Sequence, residues 1–204
     1  MLAAAIDVVL GAAIAFLLLR SRVFGRNLLD GIAMLPLALP GVVLAVSYLR
    51  TFHGWEVPGL GKPLTATWLI LVIAYSMRRL PYTVRASYAA LQQIHLSLEE
   101  AAQNLGANRA RTFQRVTLPM MLGGVVAGGL IAFVTSAVEL SSTIMLVPKM
   151  DMGPIAYGIY VYMQSAVGRG PGAALGVVAI ALVALGTWLV HRLTARGAGA
   201  AFRL

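Results

Sequence analysis

Long apolar runs alternate with short polar stretches along the chain, and their spacing predicts about five membrane-spanning helices, at 1–19, 29–49, 64–94, 120–147 and 171–190. Ten-residue segments of alternating polarity, the mark of a membrane barrel, are absent, so the expectation is an all-α helical bundle forming one domain over 1–204. The longest polar interruption is 98–119, LEEAAQNLGANRARTFQRVTLP. Side chains this rich in charge and amide groups do not sit in hydrocarbon, so the stretch belongs at a membrane surface or against another protein.

Several spans carry internal marks. Pro36 and Pro40, followed by Gly41, remove backbone donors from one face of the second span and predict a bend about 9 to 15 Å along it from Asp30, a depth at which bent helices line cavities or pack against neighbours. The third run is apolar only to Met77 and then meets Arg78, Arg79 and Pro81, so spanning requires the helix to continue through PYTVRASYAALQQI. Counted from Leu64, Arg78 falls about 21 Å along, in the last third, where snorkelling to head groups competes with lining a translocation path beside Tyr82. Glu139 falls about 28 Å along the fourth span, near its far end, and is not expected to pair with Arg78 or Arg79. Gly124 and Gly128, and again Gly172 and Gly176, have the spacing that lets helices approach closely. Residues 147–170 are too polar for a span and predict a short interfacial helix with Tyr157, Tyr160 and Gln164 on one face; 50–63 is a loop with Trp55 at the interface.

Composition sharpens the class: 59% of the 204 residues are hydrophobic and 11% charged, against about 25% charged in ordinary soluble domains. The formal charge of +9 is read first as topology and not as affinity for nucleic acid. With the C-terminal tail inside, Arg20, Arg22, Arg26, Arg78, Arg79, Arg85, Arg109, Arg111, Arg115, Arg192, Arg196 and Arg203 are inside and only Arg50, Lys62, Lys149 and Arg169 outside. That bias predicts an N-terminus outside, a cytoplasmic C-terminus and a cytoplasmic 98–119 segment. The first run is read as a span and not a cleaved signal. Cysteine is absent and the three histidines are scattered, so no metal site is expected.

Inside the polar segment, Ser97 and Glu100 have capping-box spacing, Gly106 suits a left-handed stop, Asn108 suits the cap of a second helix over 109–116, and Leu118-Pro119 turns the chain into the fourth span. A compact helix-turn-helix across the ends of two spans follows, with small Ala101 and Ala102 letting another surface come close. Glu100-Ala101-Ala102, three residues, Gly106, nine residues, Val116, one residue, Leu118-Pro119 resembles the EAA signature of permease subunits of binding-protein-dependent ABC importers, with Val116 where isoleucine is usual. PLALPG at 36–41 and LPYTVR at 80–85 resemble the same family.

The resemblance implies a coupling helix that fits a cleft on a cytoplasmic ATPase, with Glu99, Glu100, Ala101, Ala102, Gly106, Ala107, Leu118 and Pro119 as coupling residues. Pro36, Pro40, Arg78, Arg79, Tyr82 and Glu139 are the candidate path residues. Implied partners are cytoplasmic ABC ATPase subunits, an outer solute-binding protein, a second permease copy or sister half, and lipid, in a bacterial inner membrane. No phosphate-cradling G-x-x-x-x-G-K-[ST] loop is present, so ATP with magnesium is expected on the partner and no enzyme activity on this chain. VELSSTIMLVP at 138–148 and the stretch 159–176 most resemble the ferric iron branch, making ferric iron the expected cargo; phosphonate, sulfate, molybdate, thiamine or a polyamine are the alternatives. An ion-driven secondary transporter is the rival class, disfavoured because Asp7 and Glu139 both sit near predicted span ends.

Overall fold

The computed structural model describes residues 1–21, 24–165 and 169–200, with side chains through 192. The expectations for Arg22 and Arg203, for 166–168 within the stretch 159–176, and for the side chain of Arg196 lie outside the described residues. The helices are α1 (Leu2–Arg20), α2 (Arg26–Ala38), α3 (Gly41–Thr51), α4 (Leu69–Gln92), α5 (Leu96–Asn104), α6 (Arg109–Thr112), α7 (Leu118–Ala137), α8 (Thr143–Leu146), α9 (Ile155–Gln164) and α10 (Arg169–Ala200). Among the described residues the only strand-like pairing is one bridge between Glu56 and Pro63.

The centre is a three-helix layer of α1, α4 and α7, and its register can be followed contact by contact. Ser76 Oγ donates to the Ala3 carbonyl at 3.3 Å, Gly11 lies against Thr83, and Arg20 reaches the carbonyls of Leu91 and Ile94, so α1 and α4 run parallel. Opposite them α7 runs antiparallel: Gly124 lies against Ala90, and a Cβ at Gly128 would come within 2.7 Å of the Ala86 Cβ. The expected role of the first small-residue pair is therefore met. Of the second pair, Gly172 packs against Met163 and Tyr162, whereas Gly176 faces open space.

One apolar cluster (Leu91, Ile94, Met121, Val125) seals the end of the layer that carries α5, and another (Ala45, Ile70, Leu71, Ala74, Leu146) seals the opposite end. Outward, α10 leaves Val177, Val178, Ile180, Leu185 and Trp188 exposed, as a helix bathed in an apolar solvent does. Three described stretches are long and apolar enough to cross a membrane, Leu2–Arg20, Arg109–Ala137 and Arg169–Arg192, and the bent pair α2 and α3 makes a fourth if taken as one span. With 24 residues, about 36 Å, α4 is also long enough, but it carries Arg78, Arg79 and Arg85.

Four boundaries differ from the sequence expectation, each with a local cause. The run 29–49 is two helices at 108° to each other. Leu39, preceding Pro40, is extended, and Pro40 then opens α3, so two prolines break the helix where one would bend it. The third helix starts at Leu69, because 64–66 forms a single 3-10 turn and Thr67 is extended. Residues 109–137 are one continuous helical stretch, not a short helix and a turn. Its register widens to a π turn at Phe113–Thr117, with Leu118 N–H bonded to the Phe113 carbonyl, which makes room for the Pro119 ring. Finally α7 stops at Ala137 instead of continuing to 147: the Glu139 carboxylate accepts the Ser142 N–H at 3.4 Å and the Thr143 hydroxyl takes the Glu139 carbonyl at 2.6 Å, offering the backbone a turn instead of another helical rung.

Because the α4–α7 contact has no spare volume at Gly128, Gly128→Leu is expected to lower stability by about 1–3 kcal/mol or more. Thermal unfolding of the detergent-solubilised protein checks this, with Gly176→Leu, where space is open, expected to stay near wild type.

Candidate functional site

Two polar regions interrupt the apolar layer, one within it and one at its α5 end. The first is built where α4 and the end of α7 meet. Arg79 Nη2 donates to the Thr135 carbonyl at 3.0 Å and to Glu139 Oε2, while Arg78 Nε lies 3.3 Å from the same oxygen. These side chains are little exposed, 5% for Glu139, 11% for Arg79 and 21% for Arg78. The expectation that Glu139 stays apart from both arginines is thus overturned, as is snorkelling of Arg78 and Arg79.

The reason is geometric. Starting α4 at Leu69 raises Arg79 to about 15 Å from the head of the helix, and the antiparallel register sets it level with Thr135. An arginine side chain then covers the remaining turn to Glu139. Tyr82, one turn below Arg79, presents its ring 5.9 Å from the Arg79 guanidinium.

Asp7 joins this centre. The parallel register that pairs Ala3 with Ser76 and Gly11 with Thr83 sets Asp7 level with Arg79, and it is fully buried with neither carboxylate oxygen hydrogen-bonded. Asp7 and Glu139, expected apart near span ends, therefore converge on one level of the bundle. Arg78 Nη1 and Arg79 Nε are buried donors without a hydrogen-bond partner, as are the hydroxyls of Ser136 and Ser142. Gly41, the first residue of α3, lies directly against the Arg78 guanidinium and Ser141: a Cβ there would lie 2.5 Å from Arg78 Nη1 and 2.9 Å from the Ser141 Cβ. The 108° break thus delivers the start of α3, with its free backbone donors, to the charged centre. Pro40 caps the start of α3 and is exposed, whereas Pro36 sits half-buried within α2. Among the described residues no three His, Asp or Glu gather to hold a metal ion.

The second region is the segment from His95 onward. Its first helix, α5, begins one residue before Ser97, and the capping box with Glu100 does not form. His95 caps instead, its Nδ1 accepting the Ser97 N–H at 3.4 Å and lying 2.9 Å from the Ser97 hydroxyl, and Glu100 stays exposed. The glycine stop is as expected: Gly106 has φ +89°, its N–H reaches the Gln103 carbonyl at 2.9 Å and the Ala107 N–H reaches the Ala102 carbonyl at 3.0 Å. Asn108 Oδ1 accepts the Arg111 N–H at 2.9 Å and caps α6. Because α6 runs on into α7, Leu118 and Pro119 are helical and not a corner. Ala101 is exposed and Ala102 half-buried, while Leu105 projects with 90% of its surface free. Glu99 turns inward, its Oε1 accepting from Arg20 Nε at 2.9 Å.

Sequence reasoning counted Arg20 only as topological charge, read Gly41 only as part of the proline bend, and did not single out Thr135. No local signal marks them, since each acquires its role from a residue at least 37 positions away.

Comparison with known proteins now adds the family. The chain is 34% identical over 180 residues to the molybdenum transport system permease protein ModB of Escherichia coli, covering 84% of this chain and 79% of the relative. It is 34% identical over 143 residues to the sulfate transport system permease protein CysT of Salmonella typhimurium, covering 68% of this chain and about half of that longer protein (52%). The fold is similar to that of the MetNI methionine ABC transporter in inward facing conformations, with TM-score 0.72 at 17% identity over 96% of this chain and 89% of that one. The ferric iron branch suggested by 138–148 and 159–176 does not agree with the names of these relatives, which carry molybdenum and sulfate. Residues 7–197 match the family described as binding-protein-dependent transport system inner membrane component, and the chain belongs to that family of ABC importer permeases.

Proposed function

We propose that this chain forms the path for a tetrahedral oxyanion of the molybdate or sulfate class in an ATP-driven importer, in place of the expected ferric iron. The observation that carries the reading is the 34% identity over 180 residues to a molybdenum permease, accompanied by a similar identity to a sulfate permease. The chemistry of the charged centre supports it. An oxyanion needs N–H and O–H donors and positive potential; Arg78 Nη1, beside the start of α3, and Arg79 Nε, Ser136 Oγ and Ser142 Oγ are buried donors without hydrogen-bond partners. Glu139 and Asp7 offset the two guanidinium charges, so the centre attracts an anion without holding it too tightly to release.

In this reading the helices cross the membrane about five times with the N-terminus outside. A solute-binding protein delivers the anion on the outer side, a second permease copy or sister half completes the path, and ATPase subunits dock on the cytoplasmic face at α5. Exposed Glu100, Ala101 and Leu105 make the docking surface, with Leu105 as the apolar anchor that enters the partner's cleft. ATP and magnesium bind on that partner. Arg109, Arg111 and Arg115, on the polar stretch beyond, meet anionic lipid heads or the ATPase.

Three measurements check this reading. Vesicles reconstituted with this chain, its ATPase and its binding protein are expected to accumulate molybdate or sulfate, and accumulation of ferric iron with neither anion would reverse the cargo. Glu139→Gln leaves two buried guanidinium groups without their carboxylate and is expected to destabilise by about 3–5 kcal/mol, seen as a lower Tm in detergent. Leu105→Asp is expected to weaken ATPase docking by about 2 kcal/mol, roughly thirtyfold, measured by co-purification and titration; unchanged docking would move the anchor elsewhere.

A further inference from the structure

The coupling helix has an unusual footing. Among the described residues α5 buries no side chain, and its backbone packs mainly on the stretch that follows it, α6 and the π turn. One side-chain bond ties it to the main layer: Glu99 Oε1 to Arg20 Nε, at 2.9 Å. The same guanidinium has a second set of partners, for Arg20 Nη2 donates to the Ile94 carbonyl at 2.6 Å and to the Leu91 carbonyl at 3.3 Å.

Those carbonyls belong to the last turn of α4 and the bend after it, where helix carbonyls lack intrahelical partners and the negative end of the helix dipole favours a cation. Arg20 is itself the last residue of α1. Its side chain is only 9% exposed and that of Glu99 only 13%, so water competes little for these bonds. One planar, always charged fork thus joins the end of α1, the end of α4 and the coupling helix.

We infer that Arg20 is the positioning residue that transmits displacement of α5 to the ends of α1 and α4 together, through its bond to Glu99 and its bonds to the Leu91 and Ile94 carbonyls. This rests on the reading that α5 docks an ATPase. The physical reason is that α5 is otherwise connected to α4 through the short bend 93–95, of which Ile94 alone is buried, and to α6 through the glycine stop at Gly106. A bend alone lets α5 swing without moving the layer; a guanidinium anchored at three points makes the swing pull on both helices. Glu99, expected among the ATPase contacts, acts inward on this account, leaving Glu100 and Leu105 for the partner.

The test uses the full complex of this chain with its ATPase and binding protein in liposomes, reading molybdate uptake and ATP hydrolysis in the same preparation. In Arg20→Ala, uptake per ATP hydrolysed is expected to fall by about tenfold or more, the scale of losing a charge-assisted bond. Arg20→Lys, which keeps the charge but not the fork, is expected to recover part of that ratio. Adding Glu99→Ala to Arg20→Ala is expected to lower the ratio no further, because both changes break one link. A merely structural role would reduce the amount of complex, with uptake and hydrolysis falling in proportion. An unchanged uptake-to-hydrolysis ratio in Arg20→Ala overturns the inference, as does an Arg20→Lys ratio no better than that of alanine; if the alanine variant does not assemble, Arg20→Lys is compared with wild type, and an unchanged ratio overturns the inference. Failure of the wild-type chain to bind the ATPase at all overturns the docking reading instead.

Discussion

Charge in an apolar surrounding must find its counter-charge inside the protein, and the Arg79–Glu139 contact, with Arg78 beside it, is where this chain meets that demand. An arginine within a spanning helix has either to reach water or to be neutralised in place. Here α7 ends at Ala137, and the turn that follows carries Glu139 back over the two guanidinium groups. Without that carboxylate the end of α7, the register of α4 against α7 and the approach of α3 through Gly41 would all surround two uncompensated cations. The same centre recruits buried Asp7 from α1, so α1, α4 and the turn that follows α7 each bring a charge to it.

The two polar regions are linked by one continuous helix, α4, which carries Pro81. From Arg79 to the last residue of α4 is thirteen residues, about 20 Å of uninterrupted helix. One end of that helix holds the charged centre and the other is held by Arg20. On the proposed reading, movement of α5 reaches the charged centre as a displacement of α4, and the close packing of Gly124 and Gly128 against Ala90 and Ala86 makes α7 follow.

Much of this was legible in the sequence. Apolar runs gave the helices, since hydrocarbon admits only segments that satisfy their own backbone. Gly106 and Asn108 declared the stop and the cap of the polar segment because those effects depend on neighbours within a few positions. Pro36 and Pro40 announced a break, though its size, 108°, came from two prolines acting on either side of an extended Leu39. The small pair Gly124 and Gly128 marked a close helix contact but not its partner.

What local pattern cannot encode is which distant residue arrives at a given level. The depth of Arg78 and Arg79 was misjudged by counting helix from Leu64, where the chain is still a 3-10 turn, and Glu139 was set apart from them because helix α7 was assumed to run on. The sequence by itself determined the class of molecule, the helical kind of its elements and the family signature, because hydropathy, capping and motif spacing act over short separations. Only the tertiary structure decided that Glu139 faces Arg79, that Asp7 joins them and that Arg20 grips Glu99 across 79 positions, because each pairing is set by helix register and by how far a long side chain reaches.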